Sequence, residues 1–313
     1  MATIGKSIKK YLYSKSAPDF LFGLYFNRLT SKNRRQLKHI LQNGLGLTDH
    51  LKDQVKAYWK ERIQNVLDSP DNDSIPKVDN AGQITQGTLI MHNGIQIDPL
   101  SYYNFPILQM LMENKGVHEP QEEKIFQEVL KSLDANNRMT MLELGSYWSF
   151  YSMWFKKVFS GSNCIMVEPD RRNLFYGKQN FKLNKMSGTF IHAGIGKEQN
   201  IKNNITTVDL ICKEQQVDFI DILHCDIQGY ELEMLSGAKE MFVSKRIGYV
   251  FISTHSNELH YDCYKVLRED YDFTLVAGAD MDESFSWDGV LVMKAPHYDG
   301  VEEVTIAKKE MKK

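Results

Sequence analysis

The stretch from Met139 to Ser152 constrains the fold more than any other part of this sequence. It is an apolar run that closes on Glu143 and Gly145, followed by small and aromatic residues that lead into another apolar segment. This order predicts a buried strand, a tight turn and the start of a helix. In an open α/β sheet such a turn lies at the carboxyl end of a strand, where backbone N–H groups face a ligand. Taken alone, the stretch also fits an ordinary strand-to-helix turn, because Ser149 stands where a second glycine would be expected.

Further apolar runs repeat this arrangement downstream. About 25 residues after Glu143, the second run is closed by Glu168 and Pro169. An acid at the tip of the second strand is placed to accept hydrogen bonds from a ribose diol. The third run ends in Ala193 and Gly194, which are small enough to let an adenine ring lie against the backbone. The spacing therefore favours a nucleotide-like cofactor.

The fourth run ends in the most specific motif of the chain, Asp226-Ile-Gln-Gly229-Tyr-Glu231, followed by Leu235-Ser-Gly237-Ala238. The motifs that accompany it are Glu143-Leu-Gly145, Glu168-Pro169, Thr206-Thr-Val-Asp209 and the set Asn173, Asn180 and Asn184. Together they resemble the FkbM family of S-adenosylmethionine-dependent methyltransferases, over roughly residues 94–294. The chain departs from the family pattern at Ser149, where a second glycine is usual, and at Gln228, where an acid is common.

The resemblance implies S-adenosyl-L-methionine as the cofactor and a set of residues around it. The implied residues are Glu143, Gly145, Ser146 and Tyr147 on the methionine side, Glu119 at the ammonium group, Glu168 and Pro169 at the ribose, Ala193 and Gly194 at the adenine, and Asp226. Gln121 is the alternative to Glu119 at the ammonium group. Because both adjoin Pro120 at the expected start of a helix, capping would explain these residues equally well.

The chemistry that the resemblance implies calls for a base. Methyl transfer from a sulfonium is an in-line displacement, and an aliphatic hydroxyl is a poor nucleophile near neutral pH. Asp226 and His255 are the predicted catalytic residues, because both lie at the carboxyl ends of predicted adjacent strands. The alternatives are that Asp226 caps the following helix and that His255 only hydrogen-bonds within its loop. Glu231 is expected to be a cap or a partner of the helix dipole.

The expected function is O-methylation of a hydroxyl of a sugar, glycan or glycosylated metabolite, as the resemblance implies. The loop Asp280–Asp288 would shape the acceptor pocket, with Trp287 as a flat face for a sugar ring, or it is simply a solvated acidic loop. Two other classes stay open: a catalytically silent cofactor-binding or scaffold protein, and a dinucleotide-dependent oxidoreductase. The second should show Gly-x-Gly-x-x-Gly, which Gly145-Ser-Tyr-Trp-Ser-Phe does not. Methylation of nitrogen or carbon is open as well.

Composition narrows the partners. The formal net charge of the chain is −2, which disfavours nucleic acid as the main ligand. The four cysteines are far apart, which predicts reduced core thiols, a cytoplasmic protein and no zinc; no compact ligand cluster predicts another metal. No apolar run has the length of a membrane span or a signal peptide. A basic stretch at Lys32–Lys38 would allow peripheral membrane contact, but a solvated helix face is the preferred interpretation.

The expected fold is α/β, with the Rossmann-like, mostly parallel, seven-stranded sheet of class I methyltransferases and an antiparallel last strand. The predicted strands lie near residues 139–144, 163–168, 188–193, 219–226, 248–254, 272–277 and 289–294, with helical patterns between the first five. The expected domains are amphipathic helices and a turn-rich linker (1–83), a hairpin and lead-in helix (84–137), the methyltransferase domain (138–297) and a frayed tail (298–313). In the hairpin, Asn93-Gly94 predicts a type I′ turn.

Overall fold

The computed structural model describes residues 57–102, 105–134 and 138–310. The basic stretch at Lys32–Lys38 and the first predicted N-terminal helix lie outside these ranges. The second predicted helix is described from Ala57 and continues to Asp68 as helix α1.

Twelve strands and nine α-helices are described in these ranges. In chain order the strands are β1 (Ile84–Thr85), β2 (Thr88–Ile90), β3 (Gln96–Ile97), β4 (Thr140–Leu144), β5 (Asn163–Val167), β6 (Thr189–Ile191), β7 (Gly194–Ile195), β8 (Ile205–Thr206), β9 (Ile220–Cys225), β10 (Ile247–Thr254), β11 (Thr274–Ala279) and β12 (Gly289–Lys294). The helices after α1 are α2 (Phe105–Glu113), α3 (Pro120–Ser132), α4 (Phe150–Val158), α5 (Arg171–Leu183), α6 (Val208–Glu214), α7 (Glu231–Gly237), α8 (Lys239–Val243) and α9 (Asn257–Lys265).

The main sheet has seven strands in the order β11-β12-β10-β9-β4-β5-β6. Strand β12 runs antiparallel to both of its neighbours, whereas β10, β9, β4, β5 and β6 pair in parallel. Every predicted strand is present, and the insertion of the last strand between β10 and β11 is the arrangement of class I methyltransferases. The order differs from the 3-2-1-4-5-6 order of the dinucleotide-binding fold. The predicted fold class is therefore confirmed.

Both faces of the sheet are covered, because its strands alternate between two hydrophobic cores. Met141 of β4 packs in one core with Phe126 and Phe155 from helices α3 and α4. Its neighbours Leu142 and Leu144 pack in the other core, under helices α6 to α9. Side chains of successive strand residues point to opposite faces, so a strand buried on both sides reads as a continuous apolar run. The carboxyl ends of these strands are left open for a ligand.

The hairpin before the domain has a different turn from the predicted one. Ile90 pairs with Gln96, and Met91 N–H donates to the carbonyl oxygen of Ile95 at 2.8 Å. Gly94 has a φ of +79°, while Asn93 is not among the described residues with positive φ. The type I′ prediction is wrong because the connection has three residues rather than two, and such a loop requires one left-handed position.

The asparagines of the family motif fasten this hairpin to the catalytic domain. Asn180, at the end of α5, accepts from Asp98 N–H at 2.9 Å and donates to the Trp148 carbonyl at 3.1 Å. Asn184 bonds both backbone groups of Gln96, at 2.9 and 2.7 Å. Hairpin, helix and the loop after β4 are thus held as one unit.

The segment predicted as a linker packs against the domain. Pro70–Ser74 forms a short 3₁₀ helix in which Asp71 is buried. Asp71 accepts from Lys124 on α3 at 2.7 Å and from the backbone N–H of Ala307 at 2.8 Å. The turn-forming residues of this segment fold into a tight 3₁₀ turn, and Asp71 forms an ion pair with Lys124, so the segment is not a solvated connector.

The C-terminal tail also differs from its predicted frayed state. Val304 N–H donates to the carbonyl of Val276 on the edge strand β11 at 2.9 Å, and Lys309 N–H donates to that of Glu283 at the same distance. Gln121 of α3 donates to the Ala307 carbonyl at 2.7 Å. The tail is extended rather than helical, so its charged composition concealed the backbone hydrogen bonds that hold it.

Candidate active site

A cleft opens at the carboxyl ends of β4 and β9, two adjacent strands near the middle of the sheet. Its walls come from the loop after β4, the segment before α3 and the ends of β9, β10 and β12. The lining residues are Tyr102, His118, Glu119, Glu143, Gly145, Ser146, Tyr147, Trp148, Phe150, Tyr151, His224, Asp226, Ser253 and Asp288.

Gly145 sets the floor of the cleft. Its φ is +71°, and a β-carbon at this position would stand 1.7 Å from the carbonyl oxygen of Asp226. The loop after β4 can approach the end of β9 this closely because glycine has no side chain and adopts positive φ without strain. The Asp226 N–H donates to the Leu144 carbonyl at 2.9 Å, which extends the strand pairing to this point.

Ser149, the departure from the family pattern, keeps the backbone conformation that a glycine would have. Its φ is +63°, in the left-handed region, and its side chain is fully buried at the start of α4. Gly177 of α5 makes room for it, since a β-carbon on Gly177 would lie 2.5 Å from the Ser149 hydroxyl oxygen. The extra side chain is accommodated by a glycine on the neighbouring helix.

Two buried carboxylates flank the loop after β4. Glu143 accepts from Ser152 N–H at 3.2 Å, and burial raises its pKa to about 7 against the opposing charge of His224. Glu168 accepts from Tyr147 N–H at 2.9 Å and from Asp170 N–H at 2.8 Å. Burial also raises the pKa of Glu168, although these two N–H groups oppose it. The loop is therefore tied to the tip of β5 through Glu168.

Glu119 belongs to a chain of alternating imidazoles and carboxylates. Tyr151 donates its hydroxyl to Glu119 at 3.0 Å, His118 lies 3.2 Å from the same carboxylate, and Glu123 joins His118 to His92 at 2.5 and 2.8 Å. Burial would lower the pKa of His118, but the two glutamates outweigh it and raise that pKa to about 10. The pKa of Glu119 is lowered, because His118 outweighs burial. A negative carboxylate thus faces the cleft.

A second buried pair lies below the cleft. His224 in β9 is 2.6 Å from Glu122, whose other oxygen accepts from the Ser253 hydroxyl at 3.1 Å. Burial raises the pKa of Glu122, while Glu122 raises that of His224 despite burial. The pair fastens α3 to the sheet.

His255 lies beside the cleft among carboxylates. Its Nδ1 is 2.9 Å from Glu231, and its Nε2 is 3.3 Å from Asp226 and 3.5 Å from Asp288. Burial would lower its pKa, but the hydrogen bonds of Asp226 and Glu231 and the charge of Asp288 raise it to about 10. Gln228, the second departure from the family pattern, bridges Asp226 and His255 at 3.0 and 2.8 Å.

The structure gathers many of the predicted site residues around one cleft. Glu119, Glu143, Gly145, Ser146, Tyr147 and Asp226 line it directly. The others, Glu168, Pro169, Ala193, Gly194 and His255, lie at the ends of adjoining strands, outside the lining residues. Glu168 N–H donates to the Ile191 carbonyl at 3.0 Å, so the predicted ribose and adenine residues adjoin the same edge of the sheet.

Sequence reasoning missed the buried histidine pairs. His118 and His224 lie beside motifs quoted from the sequence, and Glu122 and Glu123 follow His118 within five residues. Trp148 and Tyr151 belong to the stretch that predicts a helix start, and both line the cleft. The sequence does hold one indication of these pairs, the high density of acids directly after His118. A solvent-exposed helix start does not require so many acids.

The comparisons give one family and several structures of similar fold. Residues 197–275 match the model of the methyltransferase FkbM domain. The N-terminal domain of human METTL16 in complex with SAH is similar over 75% of this chain and 94% of that one, at 14% identity and a TM-score of 0.43. The methyltransferase FkbM from Methylobacillus flagellatus KT is similar over 72% of this chain and 58% of that one, at 18% identity and 0.39. M. capricolum TrmK in complex with S-adenosyl-homocysteine is similar over 55% of this chain and 68% of that one, at 11% identity and a TM-score of 0.39. No curated protein matches the chain.

The sheet order and the match of residues 197–275 to the methyltransferase FkbM domain agree with each other. Both support an enzyme of the S-adenosylmethionine-dependent methyltransferase class, with the family match itself confined to that segment. Within that class, the matched segment is the FkbM domain, which confirms the resemblance carried by Asp226-Ile-Gln-Gly229-Tyr-Glu231.

The residues of the cleft fit the cofactor of this class. The hydroxyl of Ser146 is buried at the cleft with no hydrogen-bond partner among the described residues. Gly145 lets the loop after β4 pack against the Asp226 carbonyl, and this contact closes the floor of the space in the cleft. Ionised Glu119 faces the same space and suits an ammonium group, since opposite charges attract strongly where water is excluded.

Within residues 57–102, 105–134 and 138–310, no group of three or more His, Cys, Asp or Glu side chains is arranged to hold a metal ion. In the same ranges, no helix has the length and hydropathy needed to cross a membrane.

Proposed function

We propose that this enzyme transfers a methyl group from S-adenosyl-L-methionine to a hydroxyl of a sugar, glycan or glycosylated metabolite. The observation that carries the proposal is the convergence of two kinds of group on one cleft. Glu119, Glu143 and Ser146 suit the cofactor's polar groups, and Asp226 and Asp288 form a carboxylate wall beside them. A hydroxyl acceptor needs such a wall, because carboxylates accept its hydrogen bond and its proton.

In the proposed arrangement the cofactor is held by the ends of β4, β5 and β6. Glu119 would bind the ammonium group, Glu168 the ribose diol, and the backbone at Ala193 and Gly194 would border the adenine. When bound, the sulfonium supplies an electrophilic methyl group. The chain itself orients the acceptor, excludes water through the aromatic lining and provides the proton acceptor.

The acceptor loop supports a sugar-like substrate. Trp287 is partly exposed and parallel to Trp59 of α1, with ring centroids 6.0 Å apart. The guanidinium of Arg62 lies 4.9 Å from the Trp287 ring centroid. Such a supported indole offers a fixed apolar face next to the carboxylate of Asp288, which suits the mixed apolar and hydroxylated surface of a pyranose.

The proposal also covers the cellular compartment and the partners of the protein. The four cysteines are all free and buried, which supports a reducing compartment such as the cytoplasm. The net charge of −2 disfavours nucleic acid as the acceptor. Membrane contact through Lys32–Lys38 stays a prediction.

The proposal is tested by transfer of an isotope-labelled methyl group. Purified protein is incubated with methyl-labelled S-adenosylmethionine and, separately, a panel of sugars, oligosaccharides, glycosylated small molecules and RNA. We expect label on a glycan hydroxyl as an alkali-stable ether, lost in Glu168→Ala and kept in Glu214→Ala, an exposed control at the end of α6. Label on RNA would replace the acceptor class, and cofactor binding without transfer to any acceptor would favour the silent binding protein.

A further inference from the structure

His255, Asp226 and Asp288 form one polar group at the acceptor wall, and their contacts divide the roles among them. We propose that Asp288 accepts the proton of the acceptor hydroxyl and that His255 is a positioning residue that holds the two aspartates. This inference rests on the proposed methyl transfer to a hydroxyl, and it names the proton acceptor of that reaction.

His255 has no lone pair to offer a substrate in either of its neutral or charged forms. As an imidazolium, it donates through Nδ1 to Glu231 at 2.9 Å and through Nε2 toward Asp226 at 3.3 Å. As a neutral imidazole that donates to Glu231, its Nε2 would accept from the Gln228 amide at 2.8 Å. The fully buried Glu231 anchors the ring in both cases. His255 therefore fixes the geometry of the wall rather than removing a proton.

Asp226 is restrained by the same contacts. One of its oxygens accepts from Gln228 at 3.0 Å and faces His255 at 3.3 Å. Its backbone closes the floor of the cleft against Gly145. These contacts fix the direction in which this oxygen points. Asp226 is thus suited to orient the acceptor hydroxyl.

Asp288 is placed by the antiparallel ladder. Thr254 pairs with Gly289, so the next positions outward, His255 and Asp288, face each other across β10 and β12. The Ser284 hydroxyl donates to the Asp288 carbonyl at 2.7 Å and holds this turn. The Asp288 side chain is 19% exposed and lines the cleft. His255, by contrast, is not among the residues that line the cleft.

The charges around Asp288 tune it for proton exchange near neutral pH. Burial raises its pKa, and so does repulsion from Asp226 and Glu119, whereas His255 and Arg62 lower it; the outcome is a pKa of about 7. A general base works best when its pKa lies near the working pH. In the balanced step, the acceptor oxygen forms the new C–O bond while the C–S bond of the sulfonium breaks with its electron pair on sulfur, and the hydroxyl proton passes to the Asp288 carboxylate.

The kinetic test compares pH profiles of kcat for wild type, Asp288→Asn, Asp288→Glu, His255→Gln and the exposed control Asp218→Asn. We expect Asp288→Asn to lose about 10²- to 10⁴-fold in kcat with cofactor affinity unchanged, and Asp288→Glu to recover part of it. In His255→Gln the acid limb of the profile should move to higher pH, because the positive charge that lowers the pKa of Asp288 is gone. An acid limb that survives in Asp288→Asn and disappears in His255→Gln would overturn the proposal.

A second measurement decides the assignment even if no acceptor is found. In the cofactor-bound protein, NMR titration with ¹³C-carboxyl aspartate and ¹⁵N-imidazole histidine should show Asp288 titrating near pH 7, with Asp288→Asn identifying its signal. His255 should keep both ring protons through that range. An Asp288 that stays ionised throughout, or a His255 that loses its proton near pH 6.5, would reject the proposal. Cofactor binding without turnover would reject the proposed function instead, so the two failures can be told apart.

Discussion

The α-carbon of Gly145 lies so close to the Asp226 carbonyl that a β-carbon on Gly145 would be 1.7 Å from that oxygen. The contact joins the end of β4 to the end of β9, and hence the proposed cofactor side of the cleft to the proposed acceptor side. With a φ of +71°, Gly145 also occupies a conformation that side chains disfavour. The two halves of the site can meet only because this position carries no side chain.

Gly145→Ala should therefore damage both stability and cofactor binding. Backbone must shift to relieve the overlap and the left-handed strain, so we expect a loss of about 2 kcal/mol or more in unfolding free energy. Urea denaturation measures it, with cofactor affinity followed by calorimetry. Gly161→Ala is the matched control, since a β-carbon there meets nothing within 4 Å, and we expect it to cost less than about 0.5 kcal/mol. Equal stability of the two variants would show that the loop after β4 is free to move.

Ser149 and Gly177 should behave as a coupled pair. Gly177→Ala places a methyl group 2.5 Å from the Ser149 hydroxyl oxygen, whereas in the Ser149→Gly background the nearest remaining atoms are 3.3 and 3.4 Å away. We expect Gly177→Ala to destabilise the wild type strongly and the Ser149→Gly variant little, with a coupling energy of about 1–3 kcal/mol. A double-mutant cycle of urea denaturation provides this energy. Additive effects would mean that the two residues do not touch in solution.

The stability of the protein should decline on the alkaline side. His118 and His255 have pKa values raised from 6.5 to about 10, so the folded state holds their protons more tightly than the unfolded state does. Their contribution is fully present below about pH 6.5 and is lost as the pH rises through about 10. Thermal unfolding between these pH values should show a falling Tm, and the fall should be smaller in His255→Gln. A difference between wild type and variant that does not change with pH would contradict the raised pKa of His255.

Gln121 should couple the tail to the acceptor loop. Its oxygen accepts from Phe285 N–H at 2.7 Å, and its nitrogen donates to the Ala307 carbonyl at 2.7 Å, with the side chain only 1% exposed. Gln121→Ala leaves these partly buried backbone groups without this partner, at a cost of about 1–3 kcal/mol.

Hydrogen exchange in both segments measures this coupling. We expect amide exchange to accelerate at Phe285 and around Ala307 together in Gln121→Ala. Gln127→Ala is the control on the same helix, because its amide donates only to the neighbouring Glu128 among the bonds described. Acceleration at one segment without the other would mean that the tail does not brace the loop.

The sheet was predictable from sequence because its strands are buried on both faces and alternate with helices. Such strands are continuous apolar runs, and the acids and glycines that end them mark the functional edge. The antiparallel position of β12 was predictable because its short run follows β11 without an intervening helix. The local sequence is sufficient to predict the structure of a segment wherever the pattern of that segment also determines which elements pack beside it.

The tail and the linker were mispredicted because their stability comes from distant partners. Nothing in the sequence near Asp71 or Ala307 indicates that these two groups bond each other across the chain. The roles of His118 and His224 depended in the same way on Glu122 and Glu123, whose burial is set by the packing of α3 on the sheet. Polar residues that pair over long separations look like solvated surface until the fold brings them together.

The central claim is that the ends of β4 and β5, beside the contact between Gly145 and Asp226, bind S-adenosylmethionine. Calorimetric titration of wild type, Glu168→Ala and the exposed control Glu214→Ala with this cofactor, and separately with NADH, tests it most directly. The account predicts saturable binding of S-adenosylmethionine to wild type and Glu214→Ala, binding at least about tenfold weaker to Glu168→Ala, as expected for loss of a charge-assisted hydrogen bond, and no binding of NADH. A folded wild type that binds NADH, or that binds S-adenosylmethionine no better than Glu168→Ala does, would contradict it.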